Sequence, residues 1–231
     1  MSQKIVIFGT SNILSDLFDC ALAKGLTIGK IVRHLPETIG ERNVCLADRL
    51  HALQSMGQFP AVEQLDEFVP GPDELYFLGP TTPTRSVLCD ELTRRFGLKF
   101  TTLVHPTAYV SPLAKMGQGV FIGAHSVLGP GSTLGDHVFI NRGVTIGHDI
   151  HIGNFTRIQP GSHLGGLSKI GSGVTVGIGA TLIERLEVGD NAFIGAGAVV
   201  TTDVNKNVLV VGLPAKFKKS LAASDDEISP A

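Results

Sequence analysis

Residues 116–158 read MGQGVFIGAHSVLGPGSTLGDHVFINRGVTIGHDIHIGNFTRI. An apolar residue returns at every sixth position: Met116, Ile122, Leu128, Leu134, Ile140, Ile146, Ile152 and Ile158. Followed outward, the period begins at Val104 and reaches Val200, giving 17 apolar positions in succession. Four residues after each stands, almost always, a small or β-branched residue, as at Val120, Ser126, Ser132, Val138 and Val144. The residue just after the apolar one is glycine in 11 of the 17 units. The register runs from residue 104 to 205 with no insertion. Sandwich strands alternate with period two and do not generate a strict six. The pattern predicts a solenoid in which the first and fifth residues of each unit point inward and stack between coils, while glycine serves sharp corners. Each buried Ile, Leu or Val contributes about 1.5–3 kcal/mol of gross burial.

Upstream the grammar differs. Lys4–Phe8 is a short buried-strand run, followed by a helical pattern on Ile13, Leu14, Leu17, Phe18, Ala21 and Leu22 that stops near Gly25. Residues 28–32 and 74–79 read as strands, and 46–56 and 86–96 as helices. Strand–helix alternation predicts a small Rossmann-like parallel sheet, with its functional end at the carboxyl ends of the strands. The expected division is 1–103 for this α/β acceptor-binding domain, 104–205 for the coil domain, and 206–231 for a closing segment and tail. The acidic end LAASDDEISPA is expected to fray.

Composition narrows the function. The formal net charge is −2, which gives no electrostatic reason to expect a nucleic-acid partner. Cys20, Cys45 and Cys89 match neither a disulfide framework nor a zinc pattern, so a reduced, cytoplasmic protein is the simple reading. The start MSQKIVIFG is unlike a signal peptide, and no apolar run of membrane-spanning length occurs. None of the eight histidines stand 18 apart and no His-x4-His pair occurs, so no metal site is expected.

The six-residue period resembles the left-handed parallel β-helix of the hexapeptide-repeat acyltransferases, where three hexapeptides make one triangular coil. With the α/β domain in front, the chain resembles the PglD/NeuD-type sugar acetyltransferases. The run Ile140-Asn141-Arg142-Gly143-Val144-Thr145-Ile146-Gly147-His148-Asp149 is similar to their active-site coil. The resemblance implies an acetyl-CoA-dependent sugar N- or O-acetyltransferase, with His148 as general base, Asp149 as its acidic helper and Asn141 near the acceptor. It implies coenzyme contacts at Arg157, Gly166, Ile178 and Glu184. It implies others at Gly212, Pro214 and Lys216 in the run VGLPAK. It also implies a homotrimer with sites between subunits. Gly166 lies 18 residues beyond His148, one coil away, where its N–H suits an oxyanion donor. The acceptor is expected at Gly9, Thr10, Ser11, Asn12, Arg33, His34 and Gly79. The loop after the first strand keeps only Gly9 where relatives are glycine-rich, and Arg33 and His34 follow the second strand where some relatives are acidic. Three readings therefore stand: a nucleotide-linked amino sugar as acceptor, a free sugar such as a sialic acid, or a non-catalytic trimeric scaffold.

Overall fold

Short apolar strands with helices between them bury both faces of a parallel sheet, and the first half of the chain does this. The computed structural model describes residues 3–37, 40 and 43–221. Strands β1 (Lys4–Phe8), β2 (Thr27–Arg33), β3 (Ala61–Gln64) and β4 (Glu74–Leu78) lie in the order β3-β2-β1-β4, all parallel. Helices α1 (Leu14–Ala23), α2 (Leu46–Ser55) and α3 (Arg85–Phe96) connect and cover them. The edge strand β3 was not anticipated: Ala61, Val62 and Gln64 are exposed, so it carries no hydrophobic pattern to read. The acidic tail lies outside the described residues, apart from Leu221.

From residue 103 the chain winds through 17 two-residue strands, β5 (Leu103–Val104) to β21 (Val199–Val200), each starting six residues after the last. Partners stand 18 apart, as in Phe139↔Arg157 and Thr145↔His163. The result is a triangular prism of three parallel sheets. The second residue of each strand points inward, and nearly all are buried, with Ile122, Leu128, Ile158, Val176 and Ile194 at 0% exposure. At the fifth position several units carry Ser or Thr instead of Val. These hydroxyls do not lie idle. Thr156 Oγ1 donates to Gly171 O at 2.7 Å and accepts from Val174 N at 3.0 Å, and the Ser126 and Ser132 hydroxyls bridge the equivalent carbonyl and N–H in the two other columns. A buried hydroxyl is tolerated because donor and acceptor are both spent.

The three faces differ in their outward residues. One carries Leu103, Phe121 and Phe139, which merge with the α/β core; Phe121 and Phe139 stack at 4.6 Å. We call it the docked face. The charged face presents Lys115, Thr133, His151, Lys169 and Glu187, with Lys169 and Glu187 paired at 3.0 Å. The bare face presents Tyr109, Val127, Thr145, His163, Thr181 and Val199.

The uniform register ends at Val200. Val204 bridges Val188, and Leu209 of β22 (Val208–Val211) pairs with Phe193, so the offset falls from 18 to 16. Strand β22 then turns back into β23 (Lys216–Ser220), an antiparallel hairpin that closes the prism.

The buried hydroxyls yield a stability expectation. Thr156→Val keeps shape and volume but leaves Val174 N–H and Gly171 C=O unsatisfied, so it costs roughly 1–3 kcal/mol, whereas Thr156→Ser retains most of the stability. Guanidinium unfolding at fixed protein concentration measures both.

Candidate active site

Corners of the prism lie at positions two to four of each unit, and His148 occupies the corner between the bare and charged faces. Its ring is about half exposed, and Nδ1 lies 2.9 Å from Asp149 Oδ2. A carboxylate only accepts, so Nδ1 carries the proton and Nε2 presents its lone pair outward. Two glycines frame this pair, each one coil away. A Cβ on Gly166 would meet His148 Nε2 at 2.7 Å and Cδ2 at 2.8 Å, and a Cβ on Gly131 would meet the Asp149 carboxylate. Asp149 itself sits in the left-handed region at φ +53°, which turns its carboxylate back over the ring. Leu167 N donates to His148 O at 2.9 Å, so the coil above is locked to the catalytic candidate. Among the described residues no acceptor faces the Gly166 N–H. A corner N–H left in this way is available to a ligand oxygen.

Asn141 stands at a different corner, between the docked and bare faces. It is buried, accepts from Arg142 N at 2.8 Å through Oδ1, and faces Gln159. One side of the prism separates it from His148, about five extended residues or roughly 17 Å. Within one protomer the fold does not bring the two together.

The acceptor candidates converge better. Gly9 through Asn12, Arg33 with His34, and Gly79 all follow the carboxyl ends of β1, β2 and β4. Gly9 N donates to Val32 O and Gly79 N to Phe8 O, both at 2.7 Å, and Ser11 Oγ donates to Gly79 O at 2.9 Å. Gly9 has φ +83°, and a Cβ there would meet the His34 ring at 2.9 Å. Burial lowers the His34 pKa and keeps the ring neutral; its buried Nδ1 has no partner among the described residues. A cleft of about 440 Å³ opens here, lined by Arg33, His34, Leu35, Pro36, Glu37 and Gln64. The Gln64 amide oxygen, in the orientation that satisfies both groups, accepts from the Arg33 guanidinium.

The coenzyme candidates divide between places. Gly166 and Glu184 stack on the His148 corner, with Glu184 ion-paired to Arg185. Ile178 is exposed on the Asn141 corner. Gly212, the cis peptide at Leu213–Pro214 and Lys216 form the closing hairpin, where Val199 N donates to Gly212 O. A second cleft of about 170 Å³ opens there beside Lys216. Arg157 lies elsewhere: it leads a strand of the docked face, donates from Nε to Thr175 Oγ1 at 3.0 Å, and has its pKa lowered by burial.

Sequence reasoning passed over two arginines. Arg49 of α2 donates to Ser11 O and Asn12 O, both at 3.2 Å, and so holds the first candidate acceptor loop. Arg85, at the start of α3, is 4% exposed between the two domains. Each stands on a helix whose spacing reads like any amphipathic helix, so nothing in the sequence marks them. No group of three or more metal-ligating side chains occurs among the described residues. No described helix is long and apolar enough to cross a membrane.

Comparison with known proteins places this architecture. The bacterial transferase hexapeptide family (six repeats) matches residues 113–148, 131–166 and 168–202. The acetyltransferase domain of PglB from Neisseria gonorrhoeae is 29% identical, with a TM-score of 0.78 over 94% of this chain and 100% of that one. Residues 113–166 and 168–202 carry the hexapeptide repeat of that transferase family. The coil is the family's left-handed parallel β-helix, and the α/β domain in front is that of the PglD/NeuD type. PerB from Caulobacter crescentus, solved with CoA and GDP-perosamine, is 27% identical with a TM-score of 0.74, over 94% of this chain and 97% of that one. A serine acetyltransferase of Buchnera aphidicola is 43% identical over 51 residues, a match spanning 22% of this chain and 19% of that protein. That second kinship is confined to a short stretch, whereas the PglB and PerB likeness includes the α/β domain of this hexapeptide-repeat protein.

The two framing glycines yield an expectation. Gly166→Ala places a methyl against the His148 ring and 3.0 Å from its backbone oxygen, which cannot retreat, so the ring must move. Acetyl transfer then falls about 10²-fold, the usual effect of an ångström of misplacement. Circular dichroism and steady-state rates on the same preparation check that the fold survives and the rate does not.

Proposed function

We propose that this chain transfers the acetyl group of acetyl-CoA to an amino or hydroxyl group of a sugar, with a nucleotide-linked amino sugar as acceptor. The observation that carries the reading is His148 with Nδ1 on Asp149 and, among the described residues, no hydrogen-bond partner for Nε2 or for the Gly166 N–H beside it. Support for the donor comes from the PglB acetyltransferase domain, whose structure has been determined in complex with acetyl coenzyme A, at 29% identity over 94% of this chain. Support for the acceptor comes from PerB in complex with CoA and GDP-perosamine.

In this mechanism His148 Nε2 removes a proton from the acceptor nitrogen or oxygen as that atom attacks the thioester carbonyl. The Gly166 N–H donates to the oxygen that gains negative charge. Asp149 keeps the proton on Nδ1 and faces the imidazolium while it exists. When the carbon–sulfur bond breaks, His148 returns the proton to the departing thiolate, and the acetylated acceptor leaves with CoA. No residue is left modified.

A cyclic homotrimer belongs to the same proposal. One prism offers the coenzyme a flat wall, and its two candidate corners, His148 and Asn141, stand at opposite edges of the bare face. Packing that face against neighbours would bring the His148 corner of one protomer to the Asn141 corner of the next. Acetyl-CoA is a metabolite of the cytoplasm, and we place the reaction there. Acetylation of a free sugar stands as a second reading, favoured by a first loop that has only Gly9 where close backbone approach to a pyrophosphate calls for several glycines.

Thiol release from acetyl-CoA across a panel of nucleotide-linked and free sugars tests the reading; no release with any of them refutes it. His148→Ala lowers kcat by roughly 10²–10⁴-fold while light scattering still gives a trimer. Co-assembling His148→Ala with Asn141→Ala protomers restores part of the activity that neither has alone. A fully active monomer sinks the shared-site proposal.

A further inference from the structure

The candidate acceptor loops after β1 and β4 run into helices, and both helices are tied to one turn of the prism. The loop after β1 enters α1, where Asp16 Oδ1 accepts from Arg142 Nη1 at 2.7 Å. The loop after β4 enters α3 at Arg85. Arg85 Nη1 donates to Thr81 O at 2.6 Å and Thr82 O at 2.9 Å, and Nη2 donates to the carbonyl of His137. His137 and Arg142 flank the strand β11 (Phe139–Ile140), whose Phe139 lies in the interdomain core and which Asn141 follows.

Arg85 is an unusual choice for a purely structural contact. It is buried, its guanidinium lies 5.7 Å from the Phe155 ring centre, and no carboxylate pairs with it among the described residues. Burial pushes its pKa down to about 9, with Arg157 nearby pushing the same way, yet it remains charged at neutral pH. Desolvating a cation is costly, and an apolar side chain would fill the space with less penalty. What an apolar side chain cannot do is bind three carbonyls at once. Two of those belong to the acceptor loop and one to the coil. The coil end of the tie is itself rigid: His137 stacks on Phe155 at 5.0 Å, meets Phe100 edge-on at 4.9 Å, and places Nε2 3.2 Å from Cys89 Sγ. Burial and the neighbouring Arg85 hold its pKa at about 4, so the ring is neutral and adds no charge repulsion at pH 7.

We infer that Arg85 is a positioning residue, fixing acceptor loop 79–84 against the turn that carries Asn141 and so setting where a sugar held by the α/β domain meets the transfer site. The inference rests on the acetyltransferase reading above. An acceptor anchored by its nucleotide depends on this alignment, whereas an amino sugar without a nucleotide diffuses to the transfer site directly.

The test compares one amino sugar with and without its nucleotide. In Arg85→Met the kcat/KM advantage of the nucleotide-linked acceptor falls about 10- to 100-fold. The kcat/KM for the free amino sugar and the KM for acetyl-CoA change little. Arg85→Lys, which can reach fewer carbonyls, falls between. If Arg85→Met does not fold, Asp16→Asn cuts the second, partly exposed tie and lowers the same ratio. Equal losses with both acceptors, or an unchanged ratio, overturn the inference. A wild-type protein that acetylates neither acceptor overturns the functional reading instead. The tie is then judged by hydrogen exchange: amides of 79–84 exchange faster in Arg85→Met while those of β11 do not, and unchanged exchange in 79–84 overturns it.

Discussion

Parallel strands meet in register only if every coil closes after the same number of residues. In this prism that number is 18, and the backbone ladder between coils enforces it through bonds such as Phe139 N to Thr156 O and Thr145 N to Ser162 O. A single inserted residue would turn every later side chain to the wrong face, as in any sheet whose period is two. The requirement explains why the apolar series from Val104 to Val200 has no gap. It also explains why hydroxyls are acceptable inside. At the fifth position the backbone offers one free N–H and one free C=O, and a Ser or Thr side chain bridges both without disturbing the ladder.

The same register fixes what surrounds the corner at His148. Residues 18 before and after a corner side chain lie directly beneath and above it, so the neighbours of the His148–Asp149 pair are determined by counting: Gly131 under Asp149 and Gly166 over His148. Both must lack a side chain for the carboxylate and ring to lie as they do. Such a pair of side chains on a loop of ordinary length would need its own packing to hold it. Here rigidity comes from the coils, and glycine at two counted positions gives the room.

The period made the coil and its inward positions legible from residue types alone and put His148 on a corner, because each is a consequence of counting in sixes; what singled out His148 among the corner residues was the resemblance of residues 140–149 to a family's active-site coil. The α/β domain was legible where strands are buried, as at Lys4–Phe8, and not at Ala61–Gln64, whose exposed edge carries no pattern. The shortened last coil was not legible: Val204 is apolar and fits the period of six, but it bridges Val188 and so steps out of the 18-residue register. Arg157 shows a further limit. Its position in the repeat is clear, yet which of three faces receives the α/β domain is decided by Phe121, stacked on Phe139, meeting Phe77, a long-range contact that no local pattern announces. Arg49 and Arg85 were silent for the same reason, since their partners are backbone carbonyls in other elements.

The division of the three faces follows from one docking event. Once the α/β domain covers one face and ion pairs such as Lys169–Glu187 line another, the bare face is the one whose outward residues carry no Lys, Arg, Asp or Glu. That face has the two candidate corners at its edges, so an assembly that uses it unites residues the single chain keeps apart. The candidate acceptor cleft, by contrast, belongs to the α/β domain, and its distance from the His148 and Asn141 corners depends on how firmly that domain is seated. Apolar packing around Phe139 holds the domain close but resists sliding poorly, because dispersion and burial are nearly indifferent to small shifts along a surface. Directional bonds resist sliding well. The interface combines both: aromatic rings supply the attachment, and the Arg142–Asp16 and Arg85–His137 ties, on either side of those rings, supply the alignment.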